Sequence, residues 1–280
     1  MEQILNVQDL NKSYKDSEFR LSNINLSITP QEVVGLIGKN GSGKSTLINT
    51  LVGNRHKDTG DIYFFDQKIS NNDLSYKEHL GVVFDDLRVP NKLTLTDIDK
   101  VFSNIYKTWK SDRFFSIIKQ FELPTKNQIK SFSRGMRMKS ALAIALAHDS
   151  HLLILDEATA GMDASGREEV IEILEDFVAE DNGILISSHI SEDIEQLATK
   201  LVFMKDGCII LEEDKRTLLE NYGVLDVDEE QFKVPNEMIV ASRTRQNRII
   251  ALVNNYHQIE GAEPLSSIDD ATKILMRGEQ

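Results

Sequence analysis

The sequence predicts an α/β fold in which buried, parallel strands alternate with helices. Three observations carry this. The apolar run Val33-Val34-Gly35-Leu36-Ile37 leads into a glycine-rich loop and then into the helical pattern Thr46–Val52. A second apolar run, Leu152-Leu153-Ile154-Leu155, ends in Asp156. After it, elements take turns: helix Ser165–Glu180, strand Ile184–Ser187, helix Ile190–Ala198, then strands Leu201–Met204 and Cys208–Leu211. Short continuous apolar runs separated by helical segments mark strands that are covered on both faces.

The remaining elements follow in order. Ile4–Leu10 and the alternating Leu21, Ile24, Leu26 and Ile28 read as strands ahead of the glycine-rich loop. Short strands are expected at Ile62–Phe65 and Gly81–Phe84. From Leu95 to His148 the pattern turns helical, with Trp109, Phe114, Phe115, Ile117, Ile118 and Phe121 on an apolar face. Residues 224–236 are acidic, end near Pro235 and read as a connection. A small appendix follows, with a strand at Met238–Ala241, a helix at Arg245–Asn255 and a last helix starting near Ser267.

At 280 residues the chain has room for one large domain or two smaller ones. Its formal net charge of −13 lacks the basic excess of a nucleic-acid groove and reads most simply as solubility. The single cysteine, Cys208, allows no internal disulfide, which fits a reducing compartment, and is expected in a buried strand. The N-terminus has no signal-peptide pattern. No apolar run approaches the ~18 residues needed to span a bilayer; the longest, Ala141–Ala147, reads as a core helix.

Chemistry concentrates in three places. Gly38-Lys39-Asn40-Gly41-Ser42-Gly43-Lys44-Ser45-Thr46 fits the phosphate-binding P-loop pattern, G-x-x-x-x-G-K-[ST], in the strand–loop–helix setting it requires. Glycines let backbone N–H groups approach phosphate, and a helix N-terminus adds roughly half a positive charge at the same spot. Lys44 is expected to meet the β- and γ-phosphates and Ser45 to hold Mg²⁺. In a P-loop enzyme the acid ending a buried strand, here Asp156, reaches the Mg²⁺ shell, and the adjacent Glu157 is placed to take a proton from attacking water. The third place is Ser133-Arg134-Gly135-Met136, where Ser133 reads as the N-cap of a long helix and Gly135 exposes first-turn amides.

In this order and spacing, the motifs resemble the ATP-binding-cassette (ABC) ATPase domain over residues 4 to about 222. The resemblance implies a P-loop core with an antiparallel β part, a helical subdomain at about 86–150 within an ATPase domain of residues 1–222, and a small α+β accessory region at 223–280. It places Tyr14 where the family stacks an aromatic on adenine, although a strand-end surface tyrosine is the alternative. Ser133-Arg134-Gly135-Met136 falls at the family signature, usually Ser-Gly-Gly-Gln, and Arg134 either offers its guanidinium to the γ-phosphate or faces solvent. Asp163 falls in the loop that crosses the dimer interface, and His189 at the histidine that touches the γ-phosphate. Asp85 takes the place of the usual Gln that reaches Mg²⁺ or its water.

The resemblance also implies ATP and Mg²⁺ as ligands and ATP-dependent pairing with a second ATPase subunit, either a copy or a paralogue. In that pair Ser133 and Gly135 close the partner's site. Separate transmembrane permease subunits are implied, with the chain on the inner face of the cell membrane. The groove that receives them is expected among residues 85–110, with Leu87, Val89, Pro90 and Trp109 as candidates, although Trp109 reads first as helical packing. The overall look is similar to exporter ATPases for peptides, antibiotics or lipids, of the bacitracin-resistance and phenol-soluble-modulin types. The rival is an ABC ATPase acting on ribosomes or DNA, which the acidic balance disfavours. The appendix either aids pairing or regulates it, and Arg243, Arg245 and Arg248 near its expected helix start read as a solvated basic face.

Overall fold

The computed structural model describes residues 2–70, 73–159, 161–188 and 191–278. β1 (Leu5–Tyr14) and β2 (Ser17–Ile28) form an antiparallel hairpin, and β3 (Val33–Ile37) runs into the loop before α1 (Lys44–Leu51). β4 (Thr59–Phe64) and β5 (Gln67–Lys68) return beside β1, giving a four-stranded antiparallel sheet in the order β2-β1-β4-β5. β6 (Leu80–Val83) is followed by α2 (Leu95–Phe102), α3 (Ser111–Gln120) and α4 (Arg134–Leu146). Then come β7 (Leu152–Asp156), α5 (Ala164–Ala179), β8 (Gly183–Ser187), α6 (Ser191–Leu197), β9 (Lys200–Lys205), β10 (Cys208–Asp214) and α7 (Lys215–Asn221). The chain closes with β11 (Tyr222–Asp228), β12 (Ile239–Arg245), β13 (Arg248–Asn254), β14 (Glu263–Pro264) and α8 (Ile268–Leu275).

The central sheet has the order β10-β9-β3-β8-β7-β6, parallel except for the antiparallel edge strand β10. Its inner strands divide their side chains between two cores with the period of two that a strand imposes. Val34, Leu36, Leu152 and Ile154 face α1 and the antiparallel sheet. Val33, Ile37, Leu153 and Leu155 face the helical layer. Both faces are therefore covered, and β3, β7 and β8 are buried at every residue. Cys208 stands at the start of the edge strand and is only half-buried, because an edge has one flank open.

The helical layer is locally specified. Thr94 and Asp97 form a reciprocal capping box at α2: Asp97 N donates to Thr94 Oγ1 at 3.1 Å, and Thr94 N donates to Asp97 Oδ2 at 3.1 Å. Ser133 caps α4, accepting from Met136 N at 3.2 Å. The run Ala141–Ala147 is buried along α4 as expected. Among the described residues no helix is long and apolar enough to cross a membrane.

The appendix differs from the sequence expectation in two places. Residues 245–255 are not a helix: Arg248–Asn254 form β13, the strand between β12 and β11. Ile250 and Leu252 face the core that α8 joins, and Ile249, Ala251 and Val253 pack with Phe232, Val234 and Ile259; cover on both faces removes the polar alternation that would have marked a strand. The turn before it, Gln246-Asn247, has φ of 49° and 67°, the left-handed pair that a two-residue hairpin needs. Residues 224–236 are likewise not all connection. Val224, Leu225 and Val227 belong to β11, which pairs with β13 from Tyr222↔Asn254 to Asp228↔Arg248. Arg243, Arg245 and Arg248 thus lie on a hairpin rather than at a helix start, and Arg248 Nε meets Asp226 Oδ1 at 2.8 Å.

α8 is tied to the core at both ends with the charges its dipole favours. Glu195 Oε1 in α6 accepts from Ile268 N at 2.6 Å at the helix start. At the far end Lys39 Nζ donates to Met276 O at 2.7 Å and Lys205 Nζ to Gly278 O at 2.7 Å. Ile268, Ala271, Ile274 and Leu275 join the same core cluster as the helical layer.

The hairpin turn provides a test of this topology. Asn247→Val forces a β-branched residue into the left-handed region and is expected to lower stability by about 1–2 kcal/mol, whereas Asn247→Gly stays within about 1 kcal/mol of the parent. Urea denaturation of the three proteins measures both.

Candidate functional site

The loop Gly38–Thr46 leaves the carboxyl end of β3 and wraps the start of α1. Two positions show why it is glycine-rich. A Cβ on Gly38 would lie 2.4 Å from Ser42 Oγ and 2.5 Å from Met204 O, and backbone cannot yield to it. Gly43 occupies φ 113° at the N-cap of α1 and makes no side-chain cap, so the first-turn amides of α1 are left for an external acceptor. Ser42 Oγ is buried within the loop without a hydrogen-bond partner.

Lys44 curls back over the loop, its Nζ donating to Gly38 O at 2.6 Å and to Lys39 O at 3.3 Å. Burial lowers its pKa, and the nearby carboxylates of Glu157 and Asp156 pull in the opposite direction. A partly desolvated ammonium of this kind gains when a polyanion arrives. In front of it a cavity of about 720 Å³ runs from Phe19, along Lys39–Gly41 and Gly43–Thr46, to Glu157. That volume suits a nucleotide-sized ligand.

The acidic wall is built by two parallel strands ending together. Asp156, the last residue of β7, is buried, and its Oδ1 accepts from Ser187 Oγ of β8 at 2.7 Å. Glu157 follows with φ 56°, a left-handed turn rare for a non-glycine residue, and its N donates to Ser187 O at 3.0 Å. Strain held in this way re-aims a side chain at a functional site. The Ser45 hydroxyl and the Asp156 carboxylate are hard oxygen donors, the type that suits Mg²⁺.

The structure thus brings together Gly38, Asn40, Gly41, Ser42, Gly43, Lys44, Ser45, Thr46, Asp156 and Glu157. Others stand apart. Ser133 and Gly135, at the start of α4, do not line this cavity; Gly135 instead packs on the loop before α5, where an added Cβ would lie 3.4 Å from Gly161 O. The aliphatic part of Arg134, whose side chain is exposed, crosses Gly161. Asp163 caps α5, accepting from Gly166 N at 2.8 Å. Asp85 is exposed and meets Arg88 at 3.7 Å. Tyr14 ends β1 opposite Ser17, with Lys12 Nζ 5.3 Å and Arg55 5.9 Å from its ring. His189 lies outside the described residues.

Sequence reasoning missed two residues. Phe19, brought to the loop by the β1–β2 hairpin, supplies the aromatic wall of the cavity; its one signal was an aromatic at an inward strand position. Asp193 is buried in α6 and accepts from Thr159 Oγ1, beyond β7, and from Ser188 Oγ, beyond β8. It clasps the two loops that follow the acidic wall, and no local pattern announces it.

Known proteins share this chain's sequence pattern and fold. Residues 21–160 match the family described as ABC transporter. The chain is 36% identical over 213 residues to the lantibiotic transport ATP-binding protein SrtF of Streptococcus pyogenes, covering 75% of this chain and 91% of that protein. It is 30% identical over 216 residues to the bacitracin transport ATP-binding protein BcrA of Bacillus licheniformis, covering 76% of this chain and 70% of that protein. Its fold is similar to a dimeric ATP-binding cassette in a post-hydrolysis state bound to ADP and Pi, with a TM-score of 0.67 at 24% identity, over 75% of this chain and 98% of that one.

An aromatic face beneath a base contributes about 1–3 kcal/mol. Phe19→Ala is therefore expected to weaken ATP binding by about 5- to 150-fold, read by titration with a fluorescent ATP analogue. Unchanged affinity would remove Phe19 from the base site.

Proposed function

Because the chain belongs to the ABC transporter ATPase family, we propose that it powers an exporter of peptides, antibiotics or lipids, seated on the inner face of the cell membrane beneath separate membrane-spanning subunits. The chain binds and hydrolyses ATP. Residues 1–222 act as the motor and 223–280 as an accessory region. The observation that carries the mechanism is the divided site: the phosphate loop and the acidic wall share one cavity, while the start of α4 lies outside it.

The bound triphosphate is held by the loop amides, the N-terminus of α1 and the Lys44 ammonium. Ser45 and Asp156 would hold Mg²⁺, which would neutralise charge on the phosphate oxygens. Glu157 takes the proton from a water that attacks the γ-phosphorus as the bond to the β-phosphate oxygen breaks. His189 donates to the γ-phosphate. Asp85, two residues beyond the end of β6, would offer its carboxylate to Mg²⁺ or its water. Phe19 on the cavity wall and Tyr14 at the end of β1 border the adenine. Ser133 and Gly135 of a second subunit, with Asp163 at the interface, close the γ-phosphate. ATP then holds two subunits together, and hydrolysis lets them part.

A groove of about 230 Å³ between the β6 edge and the helical layer is the seat for the membrane subunit. Leu87 and Val89 line it, with Phe84 and Tyr106; Pro90 and Trp109 do not. Trp109 is packing: its Nε1 donates to Asp99 Oδ1 at 2.9 Å, and its ring stacks on Phe102. Val101 and Ile105, next in sequence to the lining residues Phe102 and Tyr106, are 43% and 61% exposed. The relatives named for lantibiotic and bacitracin transport support export of this class of cargo. The ribosome- or DNA-directed alternative is not favoured.

Glu157→Gln removes the base and is expected to lower hydrolysis by about 10²–10⁴-fold while ATP drives the chain into a dimer, measured by light scattering. A variant that remains monomeric in saturating ATP overturns the shared site. The same variant, tagged and recovered from detergent-solubilised membranes with ATP, is expected to bring down a polytopic membrane protein. Recovery of ribosomes or DNA instead overturns the exporter.

A further inference from the structure

At the opposite edge of the central sheet, where β6 and β7 begin, three side chains converge that ATP hydrolysis does not use. His79 and His151 each immediately precede a strand, and the pairing Leu80↔Leu152 sets them side by side. His151 N donates to His79 O at 2.9 Å, and the two imidazoles stack at 5.4 Å between centroids with 27° between planes. The Phe65 ring stands edge-on to both, at 5.8 and 6.2 Å, and fixes their attitude. Asp149, in the turn before β7, places Oδ2 3.4 Å from His79 Nδ1 and 3.6 Å from His151 Nε2. All three side chains are open to solvent on one side.

The protons on this cluster are dictated by its neighbours. Asn182 Nδ2 donates to Phe177 O at 3.0 Å, which orients the amide so that Oδ1 faces His151 Nδ1 at 3.0 Å. Nδ1 must therefore carry hydrogen, and the Nε2 of a neutral ring turns a lone pair toward the Asp149 carboxylate. Lone pair facing carboxylate is a poor contact unless a proton or a metal ion lies between them. A metal-ligating histidine is held in this manner, its second nitrogen donating to an oxygen that fixes the tautomer. With bonds of about 2.0–2.1 Å, the ligand atoms of a tetrahedral zinc ion lie about 3.3–3.4 Å apart; the two distances to Asp149 are close to this, and all three ligand atoms lie within 4.8 Å of one another.

We propose that His79 Nδ1, Asp149 Oδ2 and His151 Nε2 form a site for a divalent transition-metal ion of the zinc class, with water as the fourth ligand. Two imidazoles and one carboxylate select zinc, nickel or copper over Mg²⁺, which prefers oxygen, so the site is chemically distinct from the one at Ser45 and Asp156. His79 Nδ1–H now donates to Asp149 O at 3.0 Å. On metal binding that proton leaves Nδ1 for solvent and another is taken up on Nε2, so the ring stays neutral. The bound ion clamps the starts of β6 and β7 to the turn that follows α4.

The test is zinc titration of the full chain, without nucleotide and with Mg²⁺ in excess, by calorimetry and by the visible spectrum of the Co²⁺ form. A single ion per chain with a tetrahedral Co²⁺ spectrum is expected, together with a rise in melting temperature, since a ligand of the native state alone stabilises it. His151→Ala and Asp149→Asn should each abolish the spectrum. Asn182→Ala, which frees the tautomer, should weaken binding by about 10–100-fold. His56→Ala and His257→Ala should change nothing. Zinc binding that survives in a folded His79→Ala/His151→Ala chain, or wild-type protein that retains no zinc against Mg²⁺, overturns the proposal; circular dichroism of each metal-free variant establishes that it is folded.

Discussion

Burial of β3, β7 and β8 on both faces is the constraint from which the site follows. A strand buried on both sides alternates its side chains between two cores, as Leu152–Leu155 do, and such strands run parallel because their connections cover the faces. Parallel strands end at one edge. The loops after Ile37, Asp156 and Ser187 therefore open on the same side, where an open α/β sheet holds ligands. The Ser187–Asp156 hydrogen bond locks that edge, and the left-handed Glu157 turns the chain outward from it.

Charge is arranged across that edge in a way that leaves it unfinished. Burial destabilises the Lys44 ammonium, and the start of α1 has no side-chain cap, so both await an anion. The carboxylates of Asp156 and Glu157 oppose an anion unless a cation intervenes. The start of α4 is packed on the loop before α5 instead of on its own cavity. The start of α4 therefore lies outside the cavity that the phosphate loop and Glu157 line.

The appendix is joined to this machinery through α8. Glu195 accepts from its first amide, and Lys39 and Lys205 donate to carbonyls at its far end. Lys39 also lines the nucleotide cavity. Lys39 thus belongs both to the cavity wall and to the hydrogen bonds that hold the end of α8.

The loop Gly38–Thr46, the strand ending at Asp156 and the Ser133 cap were legible in the sequence because each is local: the residues that make the conformation are neighbours in the chain. The β13 strand was not, since Ile249–Val253 lies in the middle of a sheet and carries no polar alternation, and the left-handed Gln246-Asn247 pair is weaker punctuation than Asn-Gly. Phe19 at the cavity, Asp193 clasping two loops, and His79 beside Asp149 and His151 depend on strand register and long-range packing. Sequence alone determined the chemistry of the phosphate loop and acidic wall, because backbone angles and helix ends answer to local residue type. Tertiary structure decided which distant side chains complete those groups and left the start of α4 outside their cavity, because only the pairing and stacking of buried strands brings residues far apart in the chain within a few ångströms.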